Sequence, residues 1–133
     1  MIEAAPVPSR SRELILLADD SMTTLTIASA GLEQAGYDVV TATRGDEALA
    51  VALERRPQLV VLDLEMPGLD GIEVLRSLRA DPSFARTPVM LLTSHMAQEY
   101  VQAGLEAGAD AYIVKPFSPH ELAGRIGDLL DRR

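Results

Sequence analysis

The stretch LVVLDLEMPGLDGIEVL, residues 59–75, decides the fold. It opens on four aliphatic residues, Leu59–Leu62, a run short and continuous enough for a strand buried on both faces of a parallel sheet. Asp63 stands at the carboxyl end of that strand. After a short connection, Asp70-Gly71-Ile72-Glu73 has the cap-to-acid spacing of a helix start. Helical periodicity then runs over Gly71–Ala80 and stops at Asp81-Pro82, where proline cannot continue it. Strand, connection and helix make one βα unit.

The same unit recurs in both directions. Further strands are expected at Leu14–Ala18, Tyr37–Ala42, Val89–Leu92 and Ala111–Val114. Helices are expected at Ser21–Ala35, closed by Gly36; at Gly45–Arg56, closed by Pro57; at Ala97–Ala107, closed by Gly108; and from Pro119 to about Leu130. The last helix has a clear start, with Ser118 as cap, proline in the first turn and Glu121 three residues on. The fourth has no clean cap at Ser94–Ala97. The reading is an α/β (βα)5 chain, a flavodoxin-like doubly wound fold with a five-stranded parallel sheet of order 2-1-3-4-5. Residues 1–12, with two prolines and no apolar periodicity, are expected to form a flexible N-terminal arm, and residues 13–133 one domain.

Composition removes several classes of function. The 133 residues suit a single core, and the chain has no cysteine, so disulfides, thiolate metal sites and cysteine nucleophiles are out. A net charge of −8 without a basic stripe argues against direct binding of nucleic acid. No apolar run approaches a membrane span, and the N-terminal residues lack the apolar segment of a secretory signal. A cytoplasmic location is the expectation.

The chemistry should sit at the carboxyl ends of the strands, where the strand order reverses between the first and third. Asp19 and Asp20 follow strand 1, Asp63 strand 3, Thr93 and Ser94 strand 4, and Lys115 strand 5. Any one aspartate here reads as a loop residue or a cap. Three converging carboxylates raise one another's pKa or demand a counter-ion, and a hard divalent cation such as Mg²⁺ meets that demand. Lys115 is the sole lysine of the chain, arginine serving everywhere else. It follows an apolar strand, so its ammonium should be partly buried and in need of an anion.

Four motifs in order, Ala18-Asp19-Asp20, Leu62-Asp63-Leu64-Glu65-Met66-Pro67 with Asp70-Gly71, Leu92-Thr93-Ser94, and Gly108-Ala109-Asp110 leading to Lys115-Pro116-Phe117, resemble those of bacterial two-component response regulator receivers. The resemblance covers about Leu14 to Leu130. It implies Asp63 as phosphoacceptor, with Asp20, Asp63 and the backbone carbonyl of Glu65 as Mg²⁺ ligands and Asp19 orienting the site. It implies Thr93 and Lys115 as the hydroxyl and cation that meet the phosphoryl group, Thr93 and Tyr112 as the switch, and a cis Lys115–Pro116 bond. The implied partners are a sensor histidine kinase or phosphotransfer protein and a downstream output domain or protein.

Two further expectations concern this chain's own residues. Glu65 and His95, each two places past a site residue, are positioned to meet across the site mouth and tune phosphoryl lifetime; ordinary loop positions are the alternative. Asp110, Glu121 and Arg125 resemble part of a charged α4-β5-α5 dimerisation surface, in which Ala111 replaces a common acid. A plain helix-surface pairing of Glu121 with Arg125 is the favoured reading, with a phosphorylation-dependent homodimer as the alternative. The rival function is a Mg²⁺-dependent phosphatase with an aspartyl-phosphate intermediate. That class typically has a second aspartate where this chain has Glu65. A nucleotide or flavin binder would need a glycine-rich loop after strand 1, where Asp19 and Asp20 stand.

Overall fold

The computed structural model of the chain describes residues 13–94 and 99–132. The arm expected at residues 1–12 lies outside them. Five strands, β1 (Leu14–Ala18), β2 (Asp38–Ala42), β3 (Leu59–Asp63), β4 (Val89–Thr93) and β5 (Ala111–Val114), alternate with helices α1 (Met22–Gln34), α2 (Gly45–Arg55), α3 (Gly71–Arg79), α4 (Val101–Glu106) and α5 (Pro119–Arg132). All strand pairs are parallel and the order is β2-β1-β3-β4-β5, as read from the sequence.

The strands bury both faces by simple alternation. Leu16, Val60, Leu62, Val89 and Leu91 enter one core layer with Val74, Leu75 and Leu78 of α3. Ile15, Leu17, Leu59, Val61, Met90 and Leu92 enter the other, with Leu25 and Leu32 of α1 and Leu122, Ile126 and Leu129 of α5. Each fully buried Leu or Val contributes on the order of 1.5–3 kcal/mol, so this aliphatic sandwich holds the fold without staples. At its centre lie β1, β3 and β4, whose carboxyl ends carry the polar residues of interest.

Several boundaries differ from the sequence reading for local reasons. Tyr37 is buried but does not join β2, because its N–H donates to Leu32 O and closes the end of α1. The third and fourth strands each run one residue further than expected, to Asp63 and Thr93, so both site residues stand on rigid sheet rather than in loops. Asp81 caps a 3-10 turn, Pro82–Phe84, that drives Phe84 into the core. The expected start of the fourth helix at Ala97 lies outside the described residues; α4 runs from Val101, and Tyr100 before it provides no side-chain cap. The α5 helix continues to Arg132, and Ser118 Oγ accepts the Glu121 N–H at 2.9 Å. No helix among the described residues is long and apolar enough to cross a membrane.

Candidate functional site

Sheet hydrogen bonding, continued one step past the strand ends, brings the site residues together. Asp19 N–H donates to Ala42 O at 3.0 Å, Leu64 N–H to Leu92 O at 3.0 Å, and Lys115 N–H to Thr93 O at 2.7 Å. Asp19 and Asp63 are both buried, while Asp20 turns outward. Asp19 Oδ1 accepts the Ser21 N–H at 2.9 Å, where Ser21 caps α1, and Asp63 Oδ1 accepts the Glu65 N–H at 3.1 Å. The two remaining oxygens converge on one cation. Lys115 Nζ lies 2.7 Å from Asp19 Oδ2 and 2.9 Å from Asp63 Oδ2.

Asp19 Oδ2 is sealed from water and has no hydrogen bond of good geometry, so its compensation is the charge of Lys115. Asp19, Asp20 and Asp63 each offer an oxygen, all within 4.8 Å of one another. Three hard oxygens beside a water-facing opening fit a divalent cation of the Mg²⁺ or Ca²⁺ type, which takes carboxylates and keeps some water. Among the described residues no histidine joins the cluster, and the chain has no cysteine, so a softer metal lacks its usual donors.

Burial pushes the Asp63 carboxyl up from 3.8 to about 6 against the opposing pull of Lys115 and the Glu65 amide, and Asp19 adds a smaller push. Like-charge repulsion, the cause foreseen from the sequence, is thus secondary to desolvation. Burial alone would lower Lys115, but its bonds to Asp19 and Asp63 hold it above the ordinary lysine value.

A testable consequence follows for the metal-free protein. Folded Asp63 holds its proton to higher pH than the unfolded chain does, so its contribution to stability falls as pH rises from about 4 to about 6 and stays low above that. In EDTA, Asp63→Asn is therefore expected to be more stable than wild type at pH 7.5 by roughly 1 kcal/mol, after discounting for solvent access. The gain should vanish near pH 4. Thermal unfolding of both proteins at the two pH values checks this; an equal gain at both would show that the charge is not its source.

The other expected residues divide. Thr93 is buried at the end of β4, and its Oγ1 donates to Ser94 O at 3.2 Å. Tyr112 stands on the outer part of β5, 38 % exposed. The Glu65 side chain is exposed at the mouth, and His95 lies outside the described residues. The Lys115–Pro116 bond is cis. Asp110 remains exposed, and its Oδ2 accepts from Arg79 at 3.0 Å and from Val89 N–H at 2.8 Å. Arg125 donates to Tyr112 O at 2.9 Å rather than to Glu121. The sequence reading passes over Arg79, two of whose partners, Gly108 and Asp110, lie far along the chain, and the glycines against which the site loop rests.

Comparison with known proteins agrees with this geometry. The model of the response regulator receiver domain matches residues 15–127. The alkaline phosphatase synthesis transcriptional regulatory protein PhoP of Bacillus subtilis is 43 % identical over 118 residues, 89 % of this chain and 48 % of that protein. The chain thus spans about half the length of the curated relatives it matches. A putative response regulator from Chloroflexus aurantiacus superposes with a TM-score of 0.86 at 34 % identity, covering 91 % of this chain and 99 % of that one. The receiver domain of the sensor histidine kinase PA1611 from Pseudomonas aeruginosa, solved with magnesium coordinated in its active-site cleft, gives 0.83 at 30 % identity, covering 90 % and 98 %.

Proposed function

Because this chain belongs to the response regulator receiver domain family, whose members accept a phosphoryl group from a kinase, we propose that its acceptor is Asp63 and that Mg²⁺ supports the transfer. Asp20, Asp63 and the Glu65 carbonyl would hold the ion, with Asp19 orienting the site. The observation that carries this reading is the Lys115 ammonium lodged between the buried carboxylates of Asp19 and Asp63, with Asp20 alongside. Nothing in the matches favours the phosphatase alternative.

The chain's own residues define the steps. The Glu65 N–H holds Asp63 Oδ1, which leaves Oδ2 as the attacking atom. The donor is a phosphohistidine on a sensor kinase or phosphotransfer protein. As the Oδ2–P bond forms, the P–N bond breaks and its electron pair returns to the imidazole, a neutral leaving group when its other nitrogen carries a proton. Lys115 Nζ, already beside Oδ2, pairs with a phosphoryl oxygen, and Asp19 keeps the ammonium from following the charge outward. A bound Mg²⁺ neutralises the carboxylates and the phosphoryl oxygens together.

Thr93 then exchanges its bond to Ser94 for one to the phosphoryl group, and Tyr112 turns into the space released. This two-state element alters the α4-β5-α5 surface, read by an output domain or a separate protein in the cytoplasm. A homodimer through that surface would meet Asp110, still exposed, already paired with Arg79, and Arg125 already bonded to Tyr112 O.

With acetyl phosphate and Mg²⁺, the protein is expected to gain one acid-stable, base-labile phosphoryl group per chain, absent in Asp63→Ala and suppressed by excess EDTA. Label retained by Asp63→Ala at the wild-type level would overturn the acceptor. Labelling indifferent to EDTA would overturn the role of the metal.

A further inference from the structure

Residues 64–70 link β3 to α3 and present both Glu65 groups to the site, the N–H that holds Asp63 and the carbonyl proposed as a ligand. This loop is pinned on two sides by glycines. On the α3 side, a Cβ on Gly71 would collide with the Asp63 carbonyl oxygen and crowd Leu64. On the outer side stands Gly45, the first residue of α2, from a different βα unit. Its N–H donates to Pro67 O at 3.0 Å, and a Cβ on it would occupy the position of the Leu69 carbonyl oxygen.

The turn that carries Gly45 is itself braced. Glu47 Oε1 accepts the Thr43 N–H at 2.8 Å, and Arg44 pairs with Asp46 at 3.0 Å. Both side chains lie over Gly68, whose φ of +80° suits glycine. The seam is therefore backbone against backbone. No rotamer change relieves a side chain added at position 45; the loop itself must move.

We infer that Gly45 is a positioning residue for the metal and phosphoryl site, although it touches none of the reacting groups. Gly71 anchors the α3 end of the loop against the Asp63 backbone, so a push at Leu69 is absorbed toward Glu65. Displacing Glu65 by ~1 Å moves a ligand carbonyl and the N–H that orients Asp63, a shift large enough to weaken coordination and transfer together. The inference rests on the proposed reading that Asp20, Asp63 and Glu65 hold a divalent cation. A purely structural role for Gly45 predicts loss of stability with unchanged metal affinity.

Calorimetric titration with Mg²⁺ of wild type, Gly45→Ala and Leu129→Ala separates the two roles. Leu129 is buried on the opposite face of the sheet, and its truncation stresses the fold without touching the loop. Gly45→Ala is expected to bind Mg²⁺ roughly 10- to 100-fold more weakly, and Leu129→Ala within about twofold of wild type. Should Gly45→Ala fail to fold, the wild-type protein still decides: on saturation with Mg²⁺ the amide resonance of Gly45 should shift together with those of Glu65 and Leu69. Wild-type affinity in Gly45→Ala, or a Gly45 amide unmoved by Mg²⁺, overturns the inference. A wild-type protein that binds no Mg²⁺ overturns instead the site reading beneath it.

Discussion

Lys115→Ala is expected to accept phosphoryl groups at roughly one-hundredth to one-thousandth of the wild-type rate, the usual cost of removing a preorganised group aimed at developing charge. The argument is geometric. Nζ already lies 2.9 Å from Asp63 Oδ2, and the 2.7 Å contact with buried Asp19 Oδ2 holds it there before any donor arrives. Its loss leaves two buried carboxylates without their cation, so Asp63 in the metal-free variant should protonate at still higher pH and attack less often near neutrality. Lys115→Arg should not rescue the rate, because a planar fork cannot replace a compact ammonium set between two oxygens. Initial rates with acetyl phosphate, measured with saturating Mg²⁺ at pH 7.5, provide the test. A rate within about threefold of wild type in Lys115→Ala would remove the lysine from the reaction, since each tenfold corresponds to about 1.4 kcal/mol of barrier.

Arg79→Ala is expected to destabilise the domain by about 2–4 kcal/mol while leaving Mg²⁺ affinity near wild type. At the end of α3 the guanidinium uses its whole fork. Nε and Nη2 donate to Gly108 O at 3.1 and 2.9 Å, Nη1 to Phe84 O at 2.7 Å and Thr87 O at 2.8 Å, and Nη2 also to Asp110 Oδ2 at 3.0 Å. One side chain thus ties α3, the 3-10 turn, the entry to β4 and the α4–β5 turn. Truncation leaves Gly108 O and Thr87 O without this donor, at about 1–3 kcal/mol for each one that water cannot reach, while Phe84 O keeps the Thr87 N–H and Asp110 keeps the Val89 N–H. Arg79→Lys should recover only part, because an ammonium cannot span these diverging acceptors. Urea unfolding followed by circular dichroism reads the loss as a lower midpoint at unchanged slope. A loss below about 1 kcal/mol would show that water satisfies the vacated acceptors.

Which of these features could be read along the chain follows from the range of the interaction behind each. The Asp70 capping box, the Ser118 cap and the stops at Gly36 and Gly108 involve residues a few positions apart, and all appear in the structure. So does the sheet order, because short apolar runs alternating with helices leave few right-handed ways to pack. Tyr37 was misassigned to a strand because apolar character cannot distinguish a side chain in a ladder from one that closes a helix. Asp110 is the exposed charge the sequence suggests, but its partner Arg79, thirty-one residues away, is not legible along the chain.

Periodicity and turn chemistry are local, so they suffice for the (βα)5 architecture and for the inventory of acids, hydroxyl and lysine delivered to one edge of the sheet. How that inventory is used depends on contacts between distant segments: Lys115 shared between Asp19 and Asp63, burial rather than repulsion setting the Asp63 proton affinity, Asp110 paired with Arg79, and Gly45 pressed against the loop beside Asp63. Distances, solvent exclusion and backbone contacts between separate βα units exist only once the sheet has brought those units together.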